Sequence, residues 1–166
     1  MNEADLTGYI ASLWKPDPES HKGQNGRVCI IGGSTLFTAA CLWPLTVASR
    51  IVDLVHFAST EQNNAIVTSL KAEFRNGIVV GFCDLEAYIE EDDAILIGPG
   101  MERDDRELVV MAENGRNASP APLMQLRDIA VLSGEGQKTK HLTNYLLHTF
   151  PTKQWVIDAG SLYMMD

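Results

Sequence analysis

Two glycines and a hydroxyl residue at the end of a short apolar run are the residues of this sequence best suited to chemistry. The run covers residues 28–31, and Gly32, Gly33 and Ser34 follow it directly, while a polar segment with glycines, residues 21–26, precedes it. Glycines at such a point let the backbone turn tightly and lie close to a ligand. The pattern predicts a buried strand that ends in a ligand-facing corner, although ordinary turn chemistry fits the same residues.

A second corner of this kind occurs later in the chain. Residues 93–97 include another apolar run, and Gly98, Pro99 and Gly100 close it. A third apolar run, residues 155–157, is followed directly by Asp158. Because ligands bind at the carboxyl edge of open α/β sheets, we expect both corners and the Asp158 carboxylate to share one rim. For Asp158, the alternative is a helix N-cap.

Histidines and acidic residues give no metal site or catalytic residue by their spacing. His56 lies within an apolar run and is expected to be a satisfied core residue, whereas His141 and His148 share one helix face and are expected to be solvated. His21 is either a loop residue or part of the motif before the first corner. The acidic run at residues 90–93 is interpreted as a solvated segment before a strand, because no second cluster stands at metal-binding spacing.

The cysteines, and the absence of two common phosphate-binding motifs, narrow the possible functions further. Cys29, Cys41 and Cys83 are odd in number and widely spaced in apolar surroundings, which favours buried, reduced thiols over disulfides or a zinc site. The sequence contains no GxxxxGK[ST] phosphate loop, and the first corner lacks the third glycine of the GxGxxG dinucleotide fingerprint.

Strands and helices alternate along the chain, which predicts a three-layer α/β domain with a mostly parallel sheet over residues 1–166. Pro44 lies inside a predicted helix and is expected to kink or open it. The predicted helices cover residues 3–14, 38–50, 60–75, 85–91, about 104–114 and 138–150. The predicted strands cover residues 28–31, 53–59, 78–82, 93–97, 129–132 and 155–157.

Composition excludes several classes of partner. The 166 residues are 45% hydrophobic and carry a net charge of −9, without a Lys/Arg-rich face, so neither nucleic acid nor an anionic membrane surface is expected as the main partner. The N-terminus is acidic where a signal peptide is basic, and no apolar run approaches the ~20 residues of a membrane span. We therefore expect a soluble, cytoplasmic protein.

Taken in order, the motifs resemble the ADP/ATP-dependent NAD(P)H-hydrate dehydratases, the YjeF-related repair enzymes of the ribokinase-like superfamily. The resemblance spans about residues 20–163 and implies a ribokinase-like fold. The matching pieces are residues 21–23 with Gly26, residues 28–34, Ala39 with Ala40, residues 93–100 and residues 156–162.

The resemblance also implies a reaction and a set of ligand-binding positions. In this family the added hydroxyl of NADHX or NADPHX is phosphorylated with ATP or ADP and Mg²⁺, and phosphate then leaves to restore NADH or NADPH. The hydrated dinucleotide is expected at the positions that match the two corners, the helix start and the last strand end. These positions are Gly33, Ser34, Ala39, Ala40, Gly98, Gly100 and Asp158.

This chain also departs from the family pattern. Ala39 stands where the family has glycine, Pro44 interrupts the helix, and residues 51–53 replace a glycine-containing stretch. Family members continue past the Asp158 strand into a Pro-His-x-Gly-Glu segment, a Lys-Gly turn and a glycine-rich loop with the catalytic Asp. None of these has a counterpart in this chain, so we expect a divergent, truncated N-terminal part that is inactive alone.

Three functions remain open from the sequence. The chain is part of a hydrate dehydratase that works with a complementing C-terminal half, or a non-catalytic dinucleotide-binding module, or a portion of a ribokinase-like small-molecule kinase. A sheet interrupted after Asp158 leaves an open edge, which a homo-oligomer or the complementing half would cover.

Overall fold

The computed structural model describes residues 3–72, 77–104 and 123–165. Within these ranges the strands are β1 Arg27–Ile31, β2 Leu54–Ala58, β3 Gly77–Val79, β4 Ala94–Ile97 and β5 Gln154–Ile157. The helices are α1 Glu3–Ser12, α2 Ala39–Ala48, α3 Glu61–Ser69, α4 Leu85–Glu91, α5 Leu126–Ala130, α6 Glu135–Thr149 and α7 Ala159–Met164. Short 3₁₀ turns cover Leu70–Ala72 and Phe82–Asp84.

The five strands form one parallel sheet in the order β3-β2-β1-β4-β5. The chain moves outward from β1 through β2 to β3, then returns to the other side of β1 for β4 and β5. β1 and β4 are therefore neighbours whose onward connections run in opposite directions, which is where open α/β sheets bind ligands. The predicted parallel α/β sheet with flanking helices is confirmed.

Apolar side chains bury both faces of the central strands. On one face, α2 supplies Cys41 and Leu45 to a cluster with Ile30 and Phe57. On the other face, α4, α5 and α6 pack against β1 and β4, with Ile95 fully buried at the centre. Strands buried on two faces need near-continuous apolar runs, which is why residues 28–31 and 94–97 predicted strands without alternation.

The predicted strand at residues 129–132 is wrong, because residues 126–130 form α5. Leu126 and Ile129, three residues apart on one helix face, are buried against the sheet. A four-residue apolar run fits a buried strand and a short buried helix equally well. In addition, α6 begins at Glu135, earlier than predicted, and the helix predicted for about residues 104–114 lies mostly outside the described residues.

Pro44 does not break α2, which is a single helix from Ala39 to Ala48. Since proline has no N–H, it cannot donate to the carbonyl of Ala40 four residues earlier. The helix is retained because Cys41 and Leu45, on either side of Pro44, anchor it to the core.

Candidate functional site

The two glycine corners meet at the carboxyl edge of the sheet. The Gly33 N–H donates to the carbonyl oxygen of Pro99 at 2.7 Å. Both Gly33 and Gly100 adopt positive φ angles, 78° and 73°. A Cβ at Gly100 would lie 2.8 Å from the Phe37 carbonyl oxygen and 2.9 Å from the Ala40 Cβ. The prediction that the corners lie side by side is confirmed, and glycine is required for their close approach.

The exit of β5 forms a third wall beside the second corner. The Asp158 N–H donates to the Ile97 carbonyl at 2.9 Å, and a Cβ at Gly98 would overlap the Asp158 carbonyl oxygen. A Cβ at Gly160 would overlap the Met101 carbonyl oxygen in the same way. The chain after β4 therefore lies directly against the start of α7.

These three strand exits enclose an open cleft of about 490 Å³. Its mouth is apolar and aromatic, with Leu36, Phe37 and Tyr163 at least half exposed. Ala159, also in the lining, has a positive φ of 41°, a strained conformation for a residue with a side chain. The lining consists of Leu36, Phe37, Ala40, Gly100, Met101, Glu102, Arg103, Ala159, Gly160 and Tyr163.

Of the seven positions predicted to bind substrate, two lie in the lining of the cleft, Ala40 and Gly100. The other five lie beside or behind it: Gly33, Ser34, Ala39, Gly98 and Asp158. Ser34 is buried, and its hydroxyl oxygen accepts the Phe37 N–H at 3.0 Å, so it shapes the corner from behind. Asp158 is exposed at the N-cap position of α7 and makes no side-chain capping bond.

Asn63 on α3 supports the first corner and was not predicted. It is fully buried, and its Nδ2 donates to the Ser34 carbonyl at 3.1 Å and to Ser59 Oγ at 3.0 Å. Its Oδ1 accepts the Thr38 hydroxyl at 2.9 Å. Thr38 precedes α2 as predicted, but it bonds Asn63 and makes no capping bond to the helix. The one local signal for Asn63 is a polar residue on the inner face of α3.

Glu135, in the first turn of α6, holds the next residue of the corner. The Thr35 N–H donates to Glu135 Oε2 at 3.0 Å, and the Thr35 hydroxyl donates to Oε1. Both Thr35 donors are therefore engaged by a carboxylate of the same chain. This contact joins residues 100 apart in sequence, so no local motif could have predicted it.

The segment before β1, with which the family resemblance begins, has a clear structural role. Asp53 Oδ2 accepts the backbone N–H groups of Gly23 at 2.9 Å and Asn25 at 3.1 Å, together with the Asn25 side-chain amide at 3.0 Å. These donors, with the Asn25 N–H foremost, lower the pKa of Asp53. His21 itself is exposed in the loop.

The charged groups of the cleft are few. Its described lining contains one acidic and one basic side chain, Glu102 and Arg103. The Arg103 guanidinium carbon lies 4.9 Å from the centre of the Tyr163 ring. Behind the corner, burial raises the pKa of Cys41, which therefore stays a thiol at neutral pH.

Among the described residues, a buried histidine–aspartate pair lies away from this cleft. His56 Nδ1 is 2.9 Å from Asp92 Oδ1, and both side chains are buried. Burial raises the pKa of Asp92, while its hydrogen bond to His56 opposes that rise. The prediction that His56 is a satisfied core residue is confirmed. The interpretation of residues 90–93 as a solvated run is wrong for Asp92. The turn from α4 into β4 places the Asp92 side chain against His56 of β2, where it is buried.

Cysteine and metal chemistry at the described residues are limited. Cys29 and Cys41 are buried as predicted, but Cys83 is exposed on the turn after β3, so its prediction is wrong.

The described ranges bring together no group of three or more His, Cys, Asp or Glu side chains suited to a metal ion. Among the described helices, none has the length and apolar character to cross a membrane.

Comparison with known proteins identifies similar sequences. No family model matches the chain. It is 33% identical over 109 residues to the bifunctional NAD(P)H-hydrate repair enzyme Nnr of Methanopyrus kandleri, which covers 62% of this chain and 21% of that enzyme. It is 28% identical over 133 residues to an ATP-dependent (S)-NAD(P)H-hydrate dehydratase of Pediculus humanus, which covers 75% of this chain and 43% of that protein.

A crystal structure of a ribokinase-like superfamily protein from Enterococcus faecalis is 26% identical, with a TM-score of 0.47 over 60% of this chain and 35% of the other. The chain spans only part, from 21% to 43%, of the two sequence relatives just named. It is a divergent and partial relative of the NAD(P)H-hydrate dehydratases, the family that its motifs resemble.

Proposed function

We propose that this chain forms the substrate-side part of a nucleotide-dependent NAD(P)H-hydrate repair enzyme and holds NADHX or NADPHX in the cleft at the sheet edge. The observation that carries the proposal is the convergence of Ala40 and Gly100 in the lining of one cleft. The family resemblance assigns both positions to the hydrated dinucleotide, and the named relatives are repair enzymes of this kind.

The shape of the cleft supports this ligand class. Phe37 offers an exposed aromatic face on which a nicotinamide or adenine ring can stack. Tyr163, with Arg103 over one face of its ring, adds aromatic surface to the same cleft. Gly100, with its positive φ, lets the ligand approach the backbone closely. The role of this chain in the proposal is to bind and orient the hydrated ring so that its added hydroxyl faces the phosphoryl donor.

The phosphoryl donor is proposed to be held by another polypeptide segment. Phosphoryl transfer depends on backbone donors, cations and a placed carboxylate around the transferring group. Thr35 already uses its N–H and hydroxyl on Glu135, and the cleft contributes one basic residue, Arg103. ATP or ADP with its Mg²⁺ would therefore be bound by a complementing C-terminal half, which also supplies the catalytic Asp.

A complementation assay tests the proposal. The chain is mixed with the C-terminal part of the Pediculus humanus ATP-dependent (S)-NAD(P)H-hydrate dehydratase, NADHX, Mg²⁺ and either ATP or ADP, and recovery of NADH absorbance is followed. Recovery is expected only when both polypeptides and a nucleotide are present. The Pediculus enzyme, divided at the same point and recombined, serves as the positive control. If that control is active while the mixture with this folded chain is not, the proposal is wrong.

A Phe37→Ala variant links the activity to the cleft. It removes a half-exposed aromatic ring from the lining, so at least a tenfold loss of recovery rate is expected, on the order of 1.4 kcal/mol. The matched control is Trp43→Ala, since Trp43 is an exposed aromatic residue of α2 outside the lining. Equal rates for both variants would contradict a role for the cleft.

A non-catalytic binding module is the second candidate. Most of the described lining is apolar side chain or glycine, and its arginine packs against the Tyr163 ring, which suits the binding of a ligand. This function predicts calorimetric binding of NADHX to the chain alone, unchanged by ATP, together with no turnover in the complementation assay. Turnover in that assay excludes it.

A further inference from the structure

The first helix of the chain has an apolar face that the rest of the described structure does not cover. α1 and the residues directly after it carry Tyr9, Ile10, Leu13 and Trp14, and each of these side chains is more than half exposed. Every residue from 7 to 19 is exposed. A helix of ten residues is only marginally stable in water by itself, so α1 is expected to pack against a partner surface.

The outer side of α2 is a second apolar face of this kind. Cys41 and Leu45 attach the helix to the core, and none of its ten residues is charged. On the outer side Trp43 and Val47 are 70% and 59% exposed, and Ile51, just beyond the helix, continues the stripe. Surface helices normally carry charged residues on the solvent side, so this apolar stripe indicates a contact surface.

The connection between α1 and the body of the domain allows α1 to reach a neighbouring molecule. The loop before β1 is held by Asp53, which accepts the N–H groups of Gly23 and Asn25. Residues 13–19 lie between α1 and this loop, and seven residues span at most about 25 Å. Within the folded chain, α1 leaves the outer side of its own α2 uncovered.

We propose that α1 of one copy packs along α2 of a second copy, and that the contact is reciprocal in a twofold dimer. Both helices have ten residues, so their apolar faces match in length. The exposed apolar side chains of the two faces supply on the order of 1,000 Å² per copy, against about 800 Å² per partner in a standard interface. They are Tyr9, Ile10, Leu13, Trp14, Trp43, Val47 and Ile51, and none of them lines the cleft.

Sedimentation velocity of the whole chain at increasing concentration tests this inference. The wild type is expected to dimerise. Trp14→Lys on the first face and Val47→Lys on the second should each raise the dissociation constant of the dimer at least tenfold, because each places a charge in an apolar contact. Val131→Lys, at a valine that is 82% exposed at the end of α5, is the control and should dimerise as the wild type does.

A mixture of the two variants identifies which helices pair. The Trp14→Lys chain has an intact α2 face and the Val47→Lys chain has an intact α1 face, so together they can form one of the two contacts. An equimolar mixture should therefore contain more dimer than either variant alone at the same total concentration. Since all the substituted side chains are exposed, circular dichroism should show that the variants remain folded.

Three results would overturn the inference: a wild type that stays monomeric up to about 0.1 mM, a dimer that either folded variant leaves unchanged, or a mixture with no more dimer than its components. The first result is expected if α1 folds back onto its own α2 in solution, and the second if like helices pair. NADH recovery in the complementation assay is a separate measurement, so the proposed function and the dimer can fail independently.

Discussion

Gly98 shows how closely the residues of the site are packed. Its φ is 116°, and a Cβ there would overlap the Asp158 carbonyl oxygen. A backbone atom cannot move aside as a flexible side chain can. The second corner thus depends on glycine for conformation and for space.

Gly98→Ala is therefore expected to lower the free energy of unfolding by about 2–4 kcal/mol, because the new methyl group forces β4 and β5 apart at their exits. The measurement is urea denaturation of both proteins. Gly8→Ala, at an exposed position of α1 where a Cβ meets nothing within 4 Å, is the control, and it should leave the free energy of unfolding unchanged or raise it by up to about 1 kcal/mol. A similar small change at Gly98 would show that the two strand exits are not in contact.

Asp53 makes stability depend on pH through the loop before β1. Its pKa is lowered in the folded chain, chiefly by the Asn25 N–H, so its contribution is present above the unfolded value of about 3.9 and is lost as pH falls through the lower folded value. Asp53→Asn should reduce the urea midpoint at pH near 7, and the difference from wild type should shrink at pH near 3.

Asp128→Asn, at an exposed carboxylate on α5, is the control for this pH dependence. Its midpoint should follow that of the wild type over the whole range. A difference between Asp53→Asn and wild type that is constant with pH would contradict the role of the Asp53 charge.

The sequence predicted the corner glycines because they directly follow apolar runs, which is a local signal. Asn63, Glu135 and Arg103 carry no such signal. Asn63 contacts Ser34, 29 residues away, and Glu135 contacts Thr35, 100 residues away. Contacts of this kind are set by the order of strands in the sheet, which a single sequence leaves undetermined.

At the scale of elements, the Thr35–Glu135 contact fastens the β1–α2 connection to α6. The connection extends from Gly32 to Thr38, and its Thr35 donors end on a carboxylate of a different helix. The wall of the cleft that contains Leu36 and Phe37 is thereby held by α6 as well as by Asn63 of α3.

Glu135→Ala is expected to increase hydrogen exchange at the Thr35 amide by about tenfold or more, since a charge-assisted hydrogen bond protects it. Glu135→Gln should have a smaller effect because its amide oxygen still accepts. The control is Glu91→Ala, at an exposed carboxylate on α4. Unchanged exchange at Thr35 in Glu135→Ala would mean that the contact does not hold the connection.

Element types were predicted well where glycines close an apolar run, as for β1 and β4. They were predicted poorly at residues 129–132, where four apolar residues carry no period of their own. The position of β1 at the centre of the sheet determined which strand exits became neighbours, and only the structure gives that order.

At the scale of the whole molecule, one face of the sheet is incompletely covered at the outer strand β5. Register places Val156 beside Leu96 and Leu96 beside Ile30, on the face that α2 and α3 cover over β1 and β2. Ile30 is fully buried there, whereas Val156 is 60% exposed. Parallel sheets are normally covered on both faces, so this surface suits the complementing half of the proposed enzyme.

Val156→Lys should therefore raise, by about tenfold, the concentration of the complementing half needed for half-maximal NADH recovery, because it would place a charge in an apolar contact. Val131→Lys is the control, since Val131 is 82% exposed at the end of α5, outside the sheet. Equal behaviour of the two variants would show that the complement binds elsewhere.

The residues that line the cleft come from separate stretches of the chain, and their order determines when the cleft can form during synthesis. Its walls come from residues 36–40, 100–103 and 159–163, and β5 pairs only after β4 is in place beside β1. A nascent chain can thus build the β1–β2 core early, but it has no complete cleft until α7 has left the ribosome. A ligand that stabilises the folded protein through this cleft can act only after translation of α7.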